Sequence, residues 1–161
     1  MPTPSSPNPP QVPPSRPAFY STEQLPTSPK PENELWRGVM ISAPERATLS
    51  QTRPILMLSG FFRVQGGSYP KDDRLKVTAS DVASKKEYTA FLGQKDSSPD
   101  VPPPPRQPPD PEVVKRMVFS QHFNSDILAA LGLPLTNAIY KVRVDLGNIR
   151  SNEITVQVIV Q

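Results

Sequence analysis

Between residues 138 and 161 apolar and polar side chains change places at nearly every step, and this alternation confines the chain to a β fold. Tyr140, Val142, Val144 and Leu146 alternate with Lys141, Arg143 and Asp145, and Ile154, Val156, Val158 and Val160 alternate with Thr155 and Gln157. Gly147-Asn148 stands between the two runs, where a hairpin needs its turn. Successive side chains of a strand point to opposite faces, so each arm buries one face and wets the other, as antiparallel sheets packed on a core do. The hairpin holds no catalytic side chain. It constrains architecture and leaves chemistry to be sought elsewhere.

Proline sets the second constraint. The 161 residues include 23 prolines, and 11 of these fall in residues 1–31 among Ser, Thr, Asn and Gln. Such a segment cannot fill a core and favours polyproline II or disorder, so residues 1–31 read as an N-terminal arm. Its large apolar side chains beyond Val12 are Phe19, Tyr20 and Leu25, the anchors by which it could hold its own domain or a neighbour. A second proline-rich stretch, Pro99 to Pro111, has eight prolines in 13 residues and reads as a surface loop, residues 97–112, inside the domain 32–161. Without these segments roughly 110 residues remain for folding, enough for one core and too few for two.

Between the two segments the pattern is that of strands. Trp36, with Val39 and Ile41 following, reads as a first strand closed by Pro44. Residues 55–64 form a long β-prone run in which Gly60 would permit a bulge. Leu75, Val77 and Ala79 alternate with Lys76 and Thr78, Tyr88 to Leu92 is short, and Val113 to Phe123 is extended. Asn124-Ser125-Asp126 offers a cap for a helical turn over residues 127–131, ended by Gly132 and Pro134. The expectation is all-β: about seven antiparallel strands, one short helical turn and Pro-rich extensions.

Two stretches near the end carry a family resemblance. Thr136-Asn137-Ala138-Ile139-Tyr140 is similar to the entry into the sixth strand of immunoglobulin-like and fibronectin-type domains, and Arg150-Ser151-Asn152-Glu153-Ile154-Thr155-Val156 resembles the last strand of many bacterial Ig-like modules. The resemblance implies an Ig-like β-sandwich in which Tyr140 is a corner residue whose hydroxyl bonds back to nearby backbone. It covers about 30 residues. Thr136 and Val142 stand where antibody-type domains carry aspartate and cysteine, and Trp36 lies in the first strand instead of the third, so no immunoglobulin family membership follows. The fold alone implies no activity.

Composition excludes several chemistries. The absence of cysteine removes thiol catalysis, disulfides and thiolate metal sites, blue copper among them. His122 is the sole histidine, with Ser120, Ser125 and Asp126 nearby in sequence, but a hydrolytic triad requires spatial arrangement. Ser68-Tyr69-Pro70-Lys71 fits a Ser-x-x-Lys pattern, yet it lies in a Gly/Pro loop where that chemistry needs a helix start. Asp72, Asp73, Asp81, Asp96 and Asp100 read as solvated turn residues without the spacing of a calcium loop. Net charge is +3, with no Lys/Arg run longer than Lys85-Lys86, so nucleic acid is not an expected partner. No signal peptide and no stretch of about 18 apolar residues is read, so membrane insertion is not expected, and a secreted mature form fits equally well.

The strongest interaction motif is Val101-Pro102-Pro103-Pro104-Pro105-Arg106, a preformed polyproline II segment beside a cation, although Val101 breaks the full Pro-x-x-Pro-x-Arg pattern. The expected function is therefore non-catalytic, with no cofactor and no metal: a structural or protein-binding component, acting on a protein partner or by self-assembly. Its contacts would come from Phe19, Tyr20, Leu25, Pro102, Pro103, Pro104, Pro105 and Arg106. The alternative is a carbohydrate-binding or adhesion module with an exposed aromatic face, Trp36 with Tyr69 or Tyr88.

Overall fold

The alternating segments form two sheets that share one core. A computed structural model describes residues 19–71, 74–92 and 110–161. Its strands are β1 (Tyr20–Ser21), β2 (Gly38–Ser42), β3 (Arg46–Leu49), β4 (Met57–Gln65), β5 (Leu75–Asp81), β6 (Glu87–Leu92), β7 (Val118–Asp126), β8 (Ala138–Leu146), β9 (Ile149–Arg150) and β10 (Ile154–Val160). A 3-10 turn spans Gly66–Ser68, and two helices, α1 (Pro111–Arg116) and α2 (Ile127–Leu131), flank β7.

One sheet has the order β1-β7-β4-β2, all antiparallel. The other runs β3-β10-β8-β5-β6, with β9 added beside β8, and only its β3–β10 pair is parallel. The chain therefore changes sheets between β2 and β3, across Ala43-Pro44-Glu45. Val39, Ile41, Leu58, Phe62, Val64 and Phe123 from the first sheet meet Val77, Tyr140, Val142, Val144, Val156 and Val158 from the second. Each large apolar side chain so buried contributes about 1.5–3 kcal/mol.

The closing hairpin forms with a refinement. Gly147-Asn148 turns β8 into β9, where Asp145 faces Arg150, but further along Val142 faces Ile154, so the register slips by one residue. Ser151 sits at the slip, where its N–H donates to the Val144 carbonyl and its Oγ accepts from the Val144 N–H, both at 2.8 Å. Asn152 follows and points to the other sheet, bonding both backbone groups of Ile41 on edge strand β2, at 2.9 and 3.2 Å.

Four expectations need correction. Among the described residues ten strands and two helices stand where about seven strands and one helical turn were expected. Residues 111–116 are helical instead of extended, because the Asp110 carboxylate accepts from the Glu112 N–H and Pro111 occupies the first turn. The strand expected to hold Trp36, Val39 and Ile41 is β2, which begins at Gly38, after Trp36. Gly60 makes no bulge, since β4 pairs continuously through it on both sides; the Phe123 ring lies where a Cβ would stand, so the position needs a residue without one. The second helix agrees with its sequence signals: Asp126 caps Leu128, and Gly132, at φ +63°, ends the turn in the left-handed region.

Candidate functional site

The arm is the first candidate, and its described end is built into the fold. Tyr20 and Ser21 pair with Ser125 and Asn124 of β7, and the Asp126 N–H donates to the Phe19 carbonyl. From there the chain crosses the outward face of the four-stranded sheet. Asn124 and Ser59, directly opposite one another and on the face away from the core, are 0% and 2% exposed. The Asn124 Nδ2 donates to the Glu23 carbonyl at 2.7 Å, and the Ser59 hydroxyl meets Thr27 Oγ1 at 3.2 Å. Leu25 is held in a tight turn, its N–H donating to Ser28 Oγ and its carbonyl accepting from the Ser28 N–H.

The covering continues over the same face. The Arg63 guanidinium donates to the carbonyls of Asn33 and Glu34 and lies over the Phe61 ring. Trp36 stacks on Phe61 at 6.1 Å between centroids, and His122 closes the other side at 4.7 Å. Phe61 is thus buried without joining the core. Residues 19–36 form a strap over one sheet, and of the three arm residues singled out, Phe19 is half exposed, Tyr20 packs on the core and Leu25 is half-buried. Burial, with Tyr69 nearby, raises the Tyr20 pKa. The loop residues Pro102, Pro103, Pro104, Pro105 and Arg106 lie outside the described residues.

The groups considered for catalysis do not converge. Ser120 shares its face with His122, but Ser125 points the other way and is buried. The Asp126 carboxylate is occupied by the N–H groups of Leu56 and Leu128, at 3.0 and 3.1 Å. Desolvation lowers the His122 pKa, which favours the neutral imidazole. Ser68 ends a 3-10 turn instead of opening a helix, and Asp81 Oδ1 accepts from the Ala83 and Ser84 N–H groups of its own turn. Asp72, Asp73, Asp96 and Asp100 fall outside the described residues. Among the described residues no group of three or more His, Asp or Glu could hold a metal, and no helix is long and apolar enough to cross a membrane.

The aromatic alternative is divided by the geometry. Tyr69 packs on Phe62 and Phe119, and Tyr88 meets Tyr140 edge-on, all toward the core, while Trp36 lies on the opposite side of the first sheet. Trp36 instead walls an open cleft of about 510 Å³ whose cations are Lys30, Arg37 and Arg150.

The outer face of the six-stranded sheet has no strap among the described residues. Register places Arg46, Lys76, Lys141 and Arg143 there with Asp145 and Glu87, and Arg74 lies 3.9 Å above the exposed Phe91 ring. Asp145 accepts from Arg150 at 3.3 Å and pairs with Arg143 at 3.8 Å. Sequence reading missed this division of labour between the two sheets. The signal was present in residues 55–64, whose nearly unbroken apolar run is that of a strand covered on both faces. No protein-family model, curated protein or solved structure matches the chain.

Proposed function

We propose that the chain is a non-catalytic Ig-like β-sandwich, a structural and protein-binding component of a larger assembly whose contacts come from its proline-rich arm and loop. The sheet orders support the fold assignment: an Ig constant-type domain places strands A, B, E and D in one sheet and C, F and G in the other. Here β2, β4 and β7 stand as A, B and E, while β5, β8 and β10 stand as C, F and G. The place of strand D is taken by β1, supplied by the arm.

The binding role rests on the anchoring of the two proline-rich segments. The described chain starts at Phe19, tied to the Asp126 end of β7, and resumes beyond the loop at the capped helix α1, at the Val118 end. The two attachment points are separated by the length of β7, about 27 Å. The described residue next to each segment is therefore held in place, which lowers the ordering cost of contact. The test is calorimetric titration of the full chain against a panel of SH3 and WW domains, the folds that read Pro-rich segments next to a cation. Binding that Arg106→Ala abolishes is expected; no binding across the panel, by the native chain, would sink the assignment of the loop.

A second reading is favoured by the Trp36 cleft, where an aromatic wall among three cations suits an acidic sugar ring. Titration with uronic-acid oligosaccharides should then shift Trp36 fluorescence, and Arg37→Ala should remove the shift. A flat response would discard this reading.

A further inference from the structure

Among the described residues five strands pair on one side only, and four of them are protected against pairing with another chain; β9, like β1, has just two residues. β1 is two residues long, and the outward groups of β2 at Ile41 are occupied by the Asn152 side chain. β3 has four residues and is entered from Pro44. Short length, proline and covered edges are the usual means of blunting a sheet edge. β6 is different: six residues, Glu-Tyr-Thr-Ala-Phe-Leu, with no proline or glycine, paired to β5 on one side and to no strand among the described residues on the other; α2 packs against it, but Glu87, Thr89 and Phe91 stay exposed.

The hydrogen-bond phase of this edge follows from one bond. The Asp81 N–H donates to the Lys86 carbonyl, and these two residues are opposite one another in the β5–β6 register. Bonded and non-bonded pairs alternate along an antiparallel ladder. Tyr88, Ala90 and Leu92 thus bond inward to β5, and Glu87, Thr89 and Phe91 turn their N–H and C=O groups outward. The bond from the Val82 N–H to the Ile139 carbonyl confirms the phase on the other side of β5.

We propose that this edge pairs antiparallel with the same edge of a second copy, about a two-fold axis at Thr89. Thr89 then faces Thr89 of the second copy, and Glu87 faces Phe91 in both directions, so every outward group finds a partner. Side-chain direction is preserved, because directly opposed residues share a face. The charges agree as well: the Glu87 carboxylate arrives beside a Phe91 ring that carries the Arg74 guanidinium, with Lys76 next to it in register. On the core side Tyr88 faces Ala90, large against small. The outcome is a sheet continuous across two copies. This contact involves neither the arm nor the proline-rich loop, so it stands independently of the function proposed above.

Sedimentation velocity on the full chain over a concentration series, up to millimolar, should show a reversible monomer–dimer equilibrium. Thr89→Pro should weaken dimerisation by about a hundredfold or more, since it removes an outward donor. It should leave the far-UV circular dichroism and SH3 or WW binding unchanged, because Thr89 gives no bond to β5. The chain has no cysteine, so Thr89→Cys tests the register independently of how Thr89→Pro folds. Mild oxidation should give a covalent dimer with Thr89→Cys and none with Glu87→Cys, whose symmetry mates are four residues out of register. A chain monomeric at every concentration would overturn the proposal. So would a Glu87→Cys chain that cross-links as well as Thr89→Cys.

Discussion

Tyr140 shows how one side chain can be well packed and poorly satisfied together. Its ring is 1% exposed and meets Tyr88 edge-on at 6.3 Å, yet its hydroxyl is buried with no hydrogen-bond partner among the described residues. The corner bond implied by the Ig-like resemblance is therefore not made. Burial, then Tyr88 and Asp81, raises its pKa, so the neutral form is held and ionisation would oppose folding above pH 10. A buried hydroxyl without a partner costs about 1–3 kcal/mol in lost hydration. Tyr140→Phe should accordingly be neutral or stabilising by up to about 1 kcal/mol in urea denaturation. A loss of stability would restore the corner bond. Sequence pattern placed Tyr140 in the core, because alternation reports the face a side chain takes. It could not report where the hydroxyl ends, since that depends on a loop in another part of the chain.

At the scale of elements, the two sheets are joined by a side chain acting as backbone. Asn152 offers one acceptor and one donor in the geometry of a peptide, and it supplies both to Ile41, where a further strand would otherwise lie. The one-residue register slip after β9 is what turns it toward the other sheet. Asn152→Ala should leave two backbone groups of β2 unpaired and cost about 1–3 kcal/mol. Asn152→Asp should fall between, keeping the acceptor for the Ile41 N–H and losing the donor. Equal stability of all three chains would show that the clamp contributes nothing. Periodicity marked the strands on either side of this residue, and the slip escaped it because Ser151-Asn152-Glu153 is polar throughout. Helix α1 was missed for a related reason: its six residues are too few to show a 3.6-residue period, and only the cap at Asp110 and Pro111 in the first turn distinguish it from a strand.

For the whole molecule, the boundary between arm and domain decides what a truncation means. Composition draws it after residue 31; a boundary at Phe19 is expected instead, because residues 19–36 accept from the Asn124 amide, bond the Ser59 hydroxyl and cover Phe61. Composition cannot register this, since the strap works through backbone carbonyls and small hydroxyls that any polar segment possesses. Removing residues 1–18 should leave unfolding by urea unchanged. Removing residues 1–31 should cost about 3–5 kcal/mol, from the β1 pairing, the burial of Tyr20 and the Asn124 amide returned to water. Hydrogen exchange should locate that loss in β7 and β4, with β8 and β10 protected as before. If the two truncations proved equally stable, the strap would be a surface ornament and residues 19–31 would rejoin the arm as contact material. If they differ as expected, residues 19–31 belong to the fold, and residues 1–18 can be removed to test partner contact without a loss of stability.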